Sequence, residues 1–252
     1  MQRFDDRRDA GEQLAERLAA LDLHAAIVVA LPRGGVPVAA PVAARFGIPL
    51  DVLLIRKIGV PGHRELAIGA VSDGRDMQIV LNDDVVERLG LSHADVMALA
   101  KRELPEIERR RRLYFADHPP EPLAGRTVIL VDDGVATGAT ARMALRLVRQ
   151  QDPLQIILAL PVAPSSSVAE LGAEADAVIC LHQPEPFHAV GAHYRKFDQI
   201  DDRSVTDILR RCRAACATRS PGKVPLVAAS DPQVPKQNPV NVDHNEPKGD
   251  AA

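Results

Sequence analysis

Short apolar runs separated by amphipathic, helix-length segments set the character of this chain. Ala25-Ala26-Ile27-Val28-Val29-Ala30 is apolar at every position and gives way to Pro32, Gly34 and Gly35. Such a run suits a strand covered on both faces, because a half-exposed strand alternates apolar with polar residues. Asp51–Ile55, Met77–Leu81, Thr127–Val131, Gln155–Leu160 and Ala177–Leu181 read as further strands, with a Gly/Pro-containing connection leading through Ala67–Ser72 into the run at 77–81. Leu14, Leu18 and Leu21 recur at helical spacing and predict a helix over 9–21. Val96, Leu99, Ala100, Leu104 and Ile107 predict another over 92–115, with a kink or break near Pro105. Helices are also predicted at 36–46, 84–89, about 138–150, 165–171 and 204–216. Strands alternating with helices imply the α/β class: a mainly parallel twisted sheet with helices on both faces.

Composition changes this picture at the carboxyl end. Residues 217–252 hold six prolines and no aromatic residue, with little apolar periodicity to support packing, so the expectation is one domain over 1–216 and a disordered tail over 217–252. The balance of 31 basic against 34 acidic residues, net −3, supplies no global field for nucleic acid or an anionic membrane, so any anion site has to be local. Cys180, Cys212 and Cys216 are too few for a disulfide framework and lack metal-ligand spacing, which suits reduced thiols in a cytoplasmic protein. Met1–Arg8 is charged with no apolar stretch behind it, and no run approaches the roughly 18 residues that span a bilayer. Neither export nor a membrane partner is expected.

The richest segment runs from Val128 to Thr140: a buried strand, the carboxylates Asp132 and Asp133, then the small-residue turn Gly134-Val135-Ala136-Thr137-Gly138-Ala139-Thr140 opening a helix. Thr137 suits a helix cap, and Gly138 lets an anion approach backbone N–H groups at the positive end of the helix dipole. Adjacent carboxylates accept hydrogen bonds from vicinal hydroxyls and favour a divalent ion. A phosphate cradle beside two such acids describes a sugar phosphate. No G-x-x-x-x-G-K-[ST] occurs, and no G-x-G-x-x-G follows a strand.

This segment resembles the signature of the type I phosphoribosyltransferase family: four apolar residues, two acids, a short turn, Thr-Gly and a final Thr or Ser. Pro32-Arg33-Gly34-Gly35, after the first strand, resembles that family's pyrophosphate loop, and the resemblance implies a cis peptide at Pro32–Arg33. Arg56-Lys57, followed by Ile58-Gly59-Val60-Pro61-Gly62-His63-Arg64-Glu65-Leu66, resembles its mobile catalytic loop. The implied reaction transfers a 5-phosphoribosyl group from phosphoribosyl pyrophosphate to a nitrogen acceptor and releases pyrophosphate. Arg33, Lys57 and Arg56 are then the diphosphate residues and Asp132 and Asp133 the ribose acids, which also hold Mg²⁺ largely through the substrate. Gly34, Gly35 and residues 134–140 bind the phosphates.

The acceptor is less legible. Where 6-oxopurine enzymes carry an acid before Thr-Gly, this chain has Ala136, whose methyl group performs no proton transfer; adenine and uracil enzymes are more similar there. Glu65 is an alternative carboxylate. The hood of such a fold maps to about 183–200, where Phe187 is the candidate base-stacking ring, against a plainer role in local packing. The alternative class is a regulator that senses phosphoribosyl pyrophosphate without turnover and binds nucleic acid. Its best support, Arg109-Arg110-Arg111-Arg112, follows Glu103, Glu106 and Glu108 and reads as a solvated helix face. A homodimer is left open.

Overall fold

Why the apolar runs at 27–30 and 128–131 become neighbours follows from how the chain winds. The computed structural model describes residues 3–23, 25–60, 63–72, 77–116 and 118–218 of the 252-residue chain. In chain order the elements are α1 (Arg7–Leu18), β1 (Ile27–Ala30), α2 (Gly35–Phe46), β2 (Leu50–Val52), β3 (Ile55–Val60), β4 (His63–Ser72), β5 (Gln78–Leu81), α3 (Asp83–Arg88), α4 (His93–Phe115) and β6 (Thr127–Val131). After them come α5 (Ala139–Arg149), β7 (Gln155–Val162), α6 (Ser165–Leu171), β8 (Ala177–His182), a 3₁₀ turn (Val190–His193) and α7 (Asp202–Thr218). The tail expected to be disordered lies, from residue 219 onward, outside the described residues.

Five strands form an all-parallel sheet in the order β2-β1-β6-β7-β8. The chain winds outward from β1 to β2 in one direction and from β6 through β7 to β8 in the other, so the order reverses between β1 and β6. Helices that follow these two strands therefore take opposite faces. Val28, Ala30, Ile129 and Val131 pack with the α2 residues Val36, Val38, Ala39 and Val42. Their strand neighbours Ile27, Val29, Val128 and Leu130 pack with Ala141, Ala144, Leu145 and Val148 of α5. Every residue of β1 and β6 is buried, the reason these strands read as continuous apolar runs. α1 crosses α2 closely enough that a Cβ on Gly11 would fall 2.2 Å from the Val38 carbonyl oxygen, so a side chain at that position would push the helices apart.

Three expectations need correction. The run at 51–55 is not one strand: β2 ends at Val52, and β3 belongs to a separate three-stranded antiparallel sheet ordered β3-β4-β5. The buried Asp51 carboxylate accepts from the amides of Val52 at 2.9 Å and Glu121 at 2.8 Å, which ties the edge strand to a distant loop where the chain leaves the sheet. Next, the Gly/Pro-containing connection is largely a β-hairpin, with Lys57 opposite Ala70 and Ile58 opposite Gly69. Finally, of the kink or break expected near Pro105, the break does not occur: α4 is continuous through that residue. A proline removes one amide donor, and the helix carries that loss because its other turns are capped and packed: Ser92 and Asp95 form a capping box, and Val96, Ala100 and Ile107 are buried. Among the described residues no helix is long and apolar enough to cross a membrane.

Candidate active site

The reversal between β1 and β6 leaves a crevice at the carboxyl ends of those strands, where α/β sheets of this kind bind ligands. The Pro32–Gly35 turn and the segment from Asp132 to Thr140 lie there. The Leu31 amide donates to the Val131 carbonyl at 2.9 Å and the Gly35 amide to the Leu31 carbonyl at 3.0 Å, closing the Pro32–Gly35 turn against the end of β6. The Pro32–Arg33 peptide is cis. Gly34 has ordinary helical φ, so its requirement is space: a Cβ there would fall 2.1 Å from Asp133 Oδ2. Gly35 is similarly pressed, with a would-be Cβ 2.6 Å from the Val131 carbonyl. Arg33 is exposed at this turn.

From the other strand, the Asp133 amide donates to Asp132 Oδ1 at 2.9 Å. Burial first, and the neighbouring Asp133 charge second, hold the Asp132 carboxyl well above the ordinary carboxylate range. The turn beyond is pinned from behind. The Val135 amide donates to the Val162 carbonyl at 3.0 Å, and the Ser167 hydroxyl donates to the Ala136 carbonyl at 2.8 Å. Ala136 and Thr137 remain exposed, with Gly138, Ala139 and Thr140 leading into α5. Here the cap differs from expectation: Gly138, not Thr137, occupies the N-cap, at φ +74° and with no side-chain cap bond. The left-handed turn at Gly138 starts the helix one residue later than a Thr137 cap requires, leaving the first amides of α5 without a side-chain partner from the cap.

The two β3 cations expected to meet a diphosphate part company. Arg56 lies on the same face of β3 as the buried Ile58 and forms an ion pair with Glu103 of α4 at 2.9 Å. Lys57, on the alternate face, is exposed. The side chains of His63 to Glu65 lie outside the described residues. In the hood, Phe187 stacks on His193, ring centroids 5.4 Å apart and interplanar angle 22°. Its ring thus has an intramolecular partner, in line with the packing alternative. His193 is 3% exposed, and burial followed by the neighbouring His182 lowers its pKa.

Arg7, Tyr194 and Phe197 complete this corner. The Arg7 Nε donates to Asp133 Oδ2 and its Nη1 to the Asp198 carbonyl, both at 2.8 Å, and the Tyr194 hydroxyl donates to the Asp133 carbonyl at 2.5 Å. Tyr194 and Phe197 stand out in the sequence as hood aromatics, but nothing there marks Arg7, which sits in a charged amino-terminal stretch 126 positions from Asp133.

Comparison with known proteins agrees with this geometry. Residues 6–194 match the family model described as the phosphoribosyl transferase domain. The chain belongs to that family. Two Mycobacterium tuberculosis proteins, from strains CDC 1551 and H37Rv and each named provisionally as a phosphoribosyl transferase, are 45% identical over 232 residues. That match takes in 92% of this chain and 51% of each relative, so the chain spans about half the length of the curated relatives it matches. The crystal structure of TT1426 from Thermus thermophilus is 43% identical, with a TM-score of 0.76 over 83% of this chain and 99% of that one. The family's fold maps onto the five-stranded parallel sheet flanked by helices.

Proposed function

We propose that this protein transfers the 5-phosphoribosyl group from phosphoribosyl pyrophosphate to a nitrogen acceptor such as a nucleobase. The observation that carries this reading is the meeting of the Asp132-Asp133 pair and the α5 amino terminus with the Pro32–Gly35 turn at the β1/β6 reversal. The β6–α5 turn offers backbone N–H groups to a 5′-phosphate, the two acids accept from vicinal ribose hydroxyls, and the second turn receives the diphosphate beside Arg33. As the acceptor nitrogen bonds to C1, the C1–O bond to diphosphate breaks. Diphosphate leaves with the electron pair, and the acceptor N–H proton passes to solvent or to the leaving group. The protein's contribution is position and charge, with Arg33 and Lys57 assigned to the departing diphosphate.

The donor set fits Mg²⁺ in one respect. Two hard carboxylate oxygens stand together at the strand end, and no group of three or more metal-ligating side chains exists among the described residues. A magnesium ion of this kind takes one or two carboxylates and completes its shell with substrate phosphates and water. Asp132 and Asp133 would hold it, and it would supply neutralisation of the diphosphate charge. The exposed Ala136 methyl leaves proton transfer to the acceptor unassigned to that position, which favours acceptors of the adenine or uracil type over 6-oxopurines.

The test is acceptor-dependent pyrophosphate release from phosphoribosyl pyrophosphate and Mg²⁺, with individual nitrogen bases. Release that requires both base and the intact acid pair supports transfer. Tight binding without release from any base moves the protein to a sensor, and no binding removes the reading altogether.

A further inference from the structure

Arg7 is charged, almost withdrawn from water and far in sequence from everything it touches. Only 9% of the residue is exposed. Its Nε holds Asp133 Oδ2, its Nη1 holds the Asp198 carbonyl, and its guanidinium carbon stands 3.8 Å from the centroid of the Phe197 ring. One carboxylate, one carbonyl and one aromatic face fix the plane of the guanidinium, a geometry that a lysine's single ammonium does not reproduce. The carboxylate it holds is also confined by Gly34, where even a methyl group would collide with it.

The contacts continue into the hood. The Phe197 ring lies against Gly191, where a Cβ would fall 2.8 Å from it, and stands 5.0 Å from the Tyr194 ring. Tyr194 in turn grips the Asp133 carbonyl. Gly134, next along, is covered by Val190, whose Cγ1 would lie 2.5 Å from a Cβ there. The amino terminus closes the same corner: the Phe4 amide donates to the His193 carbonyl at 2.9 Å and the Arg195 amide to the Phe4 carbonyl at 2.8 Å. A cation whose only role was to anchor α1 would find ample partners on the surface. This one is spent on an acid of the sugar site.

We propose that Arg7 is a positioning residue for phosphoribosyl pyrophosphate: it holds the Asp133 carboxylate against the Pro32–Gly35 turn and ties it to the hood segment at 194–198. This rests on the transferase reading above, through the role of the acid pair. Because the carboxylate is already oriented and paired, binding the sugar does not have to order it, and the cost that ordering would add to the affinity is removed in advance.

The experiment is a calorimetric titration of phosphoribosyl pyrophosphate with Mg²⁺ into the wild-type chain, Arg7→Gln, Arg7→Lys, Asp133→Asn and the Arg7→Gln/Asp133→Asn double variant, each with a thermal melt. Arg7→Gln is expected to bind about ten- to a hundredfold more weakly, the scale found when a residue supporting a ligating group is removed. Arg7→Lys should recover part of that loss. The deciding readout is coupling: if Arg7 acts through Asp133, the double variant binds within about twofold of Asp133→Asn alone. A purely structural Arg7 lowers the melting temperature in both backgrounds and its binding loss adds to that of Asp133→Asn, which overturns the proposal. So does an Arg7→Gln protein that binds like wild type. If Arg7→Gln does not fold, Arg7→Lys carries the same cycle. Absence of binding by the wild-type chain overturns the transferase reading itself, and is seen before any variant is compared.

Discussion

The two sheets of this molecule hold their charged residues in opposite ways. In the five-stranded sheet the acids directly follow the fully buried β6 and are gripped from several sides: Asp133 by Arg7, Gly34 and Tyr194, and Asp132 by the Asp133 amide. In the three-stranded sheet, β3 is only partly buried, Lys57 is exposed, and Arg56 pairs with Glu103. Rigid placement is thus concentrated where a sugar would have to be recognised. Open placement falls on Arg33 at the Pro32–Gly35 turn and on Lys57, the two cations proposed for the leaving diphosphate. Groups on buried strands are costly to move, whereas an exposed side chain such as Lys57 shifts at low cost.

Removing the acid pair breaks the comparison most severely. Asp132→Asn/Asp133→Asn is expected to lower acceptor-dependent pyrophosphate release by about a hundredfold or more in a coupled assay. Lys57→Ala comes next, with a loss of roughly tenfold or more in kcat and a melting temperature within a degree or two of wild type, since the exposed side chain contributes little to packing. If Lys57→Ala instead loses stability and keeps activity, the ribbon is scaffold and the contrast between the sheets disappears.

Gly34→Ala sharpens the rigid side. The new methyl must displace the Asp133 carboxylate, so an affinity loss of about tenfold for phosphoribosyl pyrophosphate is expected, together with about 1–3 kcal/mol of stability by chemical denaturation. Asp132→Asn, taken alone, tests what the buried pair costs the fold. Its carboxyl is raised above the ordinary range, so the folded protein binds that proton more tightly than the unfolded chain does. Stability is therefore lost as pH rises through the raised value and regained as pH falls. The amide removes this cost, so the variant should melt higher than wild type at neutral pH, and the gain should shrink as the solution is acidified. Smallest of all, Arg56→Ala gives up a half-exposed ion pair worth at most about 1 kcal/mol, read as a shift in denaturation midpoint.

The sequence marks the site unevenly. Thr127–Val131 is legible to the residue because a doubly covered strand has to be apolar throughout, and the strand-acids-turn order after it carries the chemistry directly. Asp51–Ile55 misleads for the converse reason. Five strand-compatible residues do not say that the chain crosses from one sheet to another between Val52 and Ile55, because the crossing is set by Asp51's bonds to a loop 70 positions away. Arg56 and Lys57 look equivalent as a dipeptide, yet strand pleating sends them to opposite faces, and Glu103 on α4 engages one of them.

By itself the sequence determined the α/β class, the strand-end location of the acids and the small-residue turns beside them, because periodicity and turn chemistry are local properties. Which strands became neighbours, which cation faced the ribbon's open side, and the recruitment of Arg7 to Asp133 were decided only in three dimensions. Each depends on partners brought together by packing, and a long-range ion pair leaves no mark on the residues that lie between its ends.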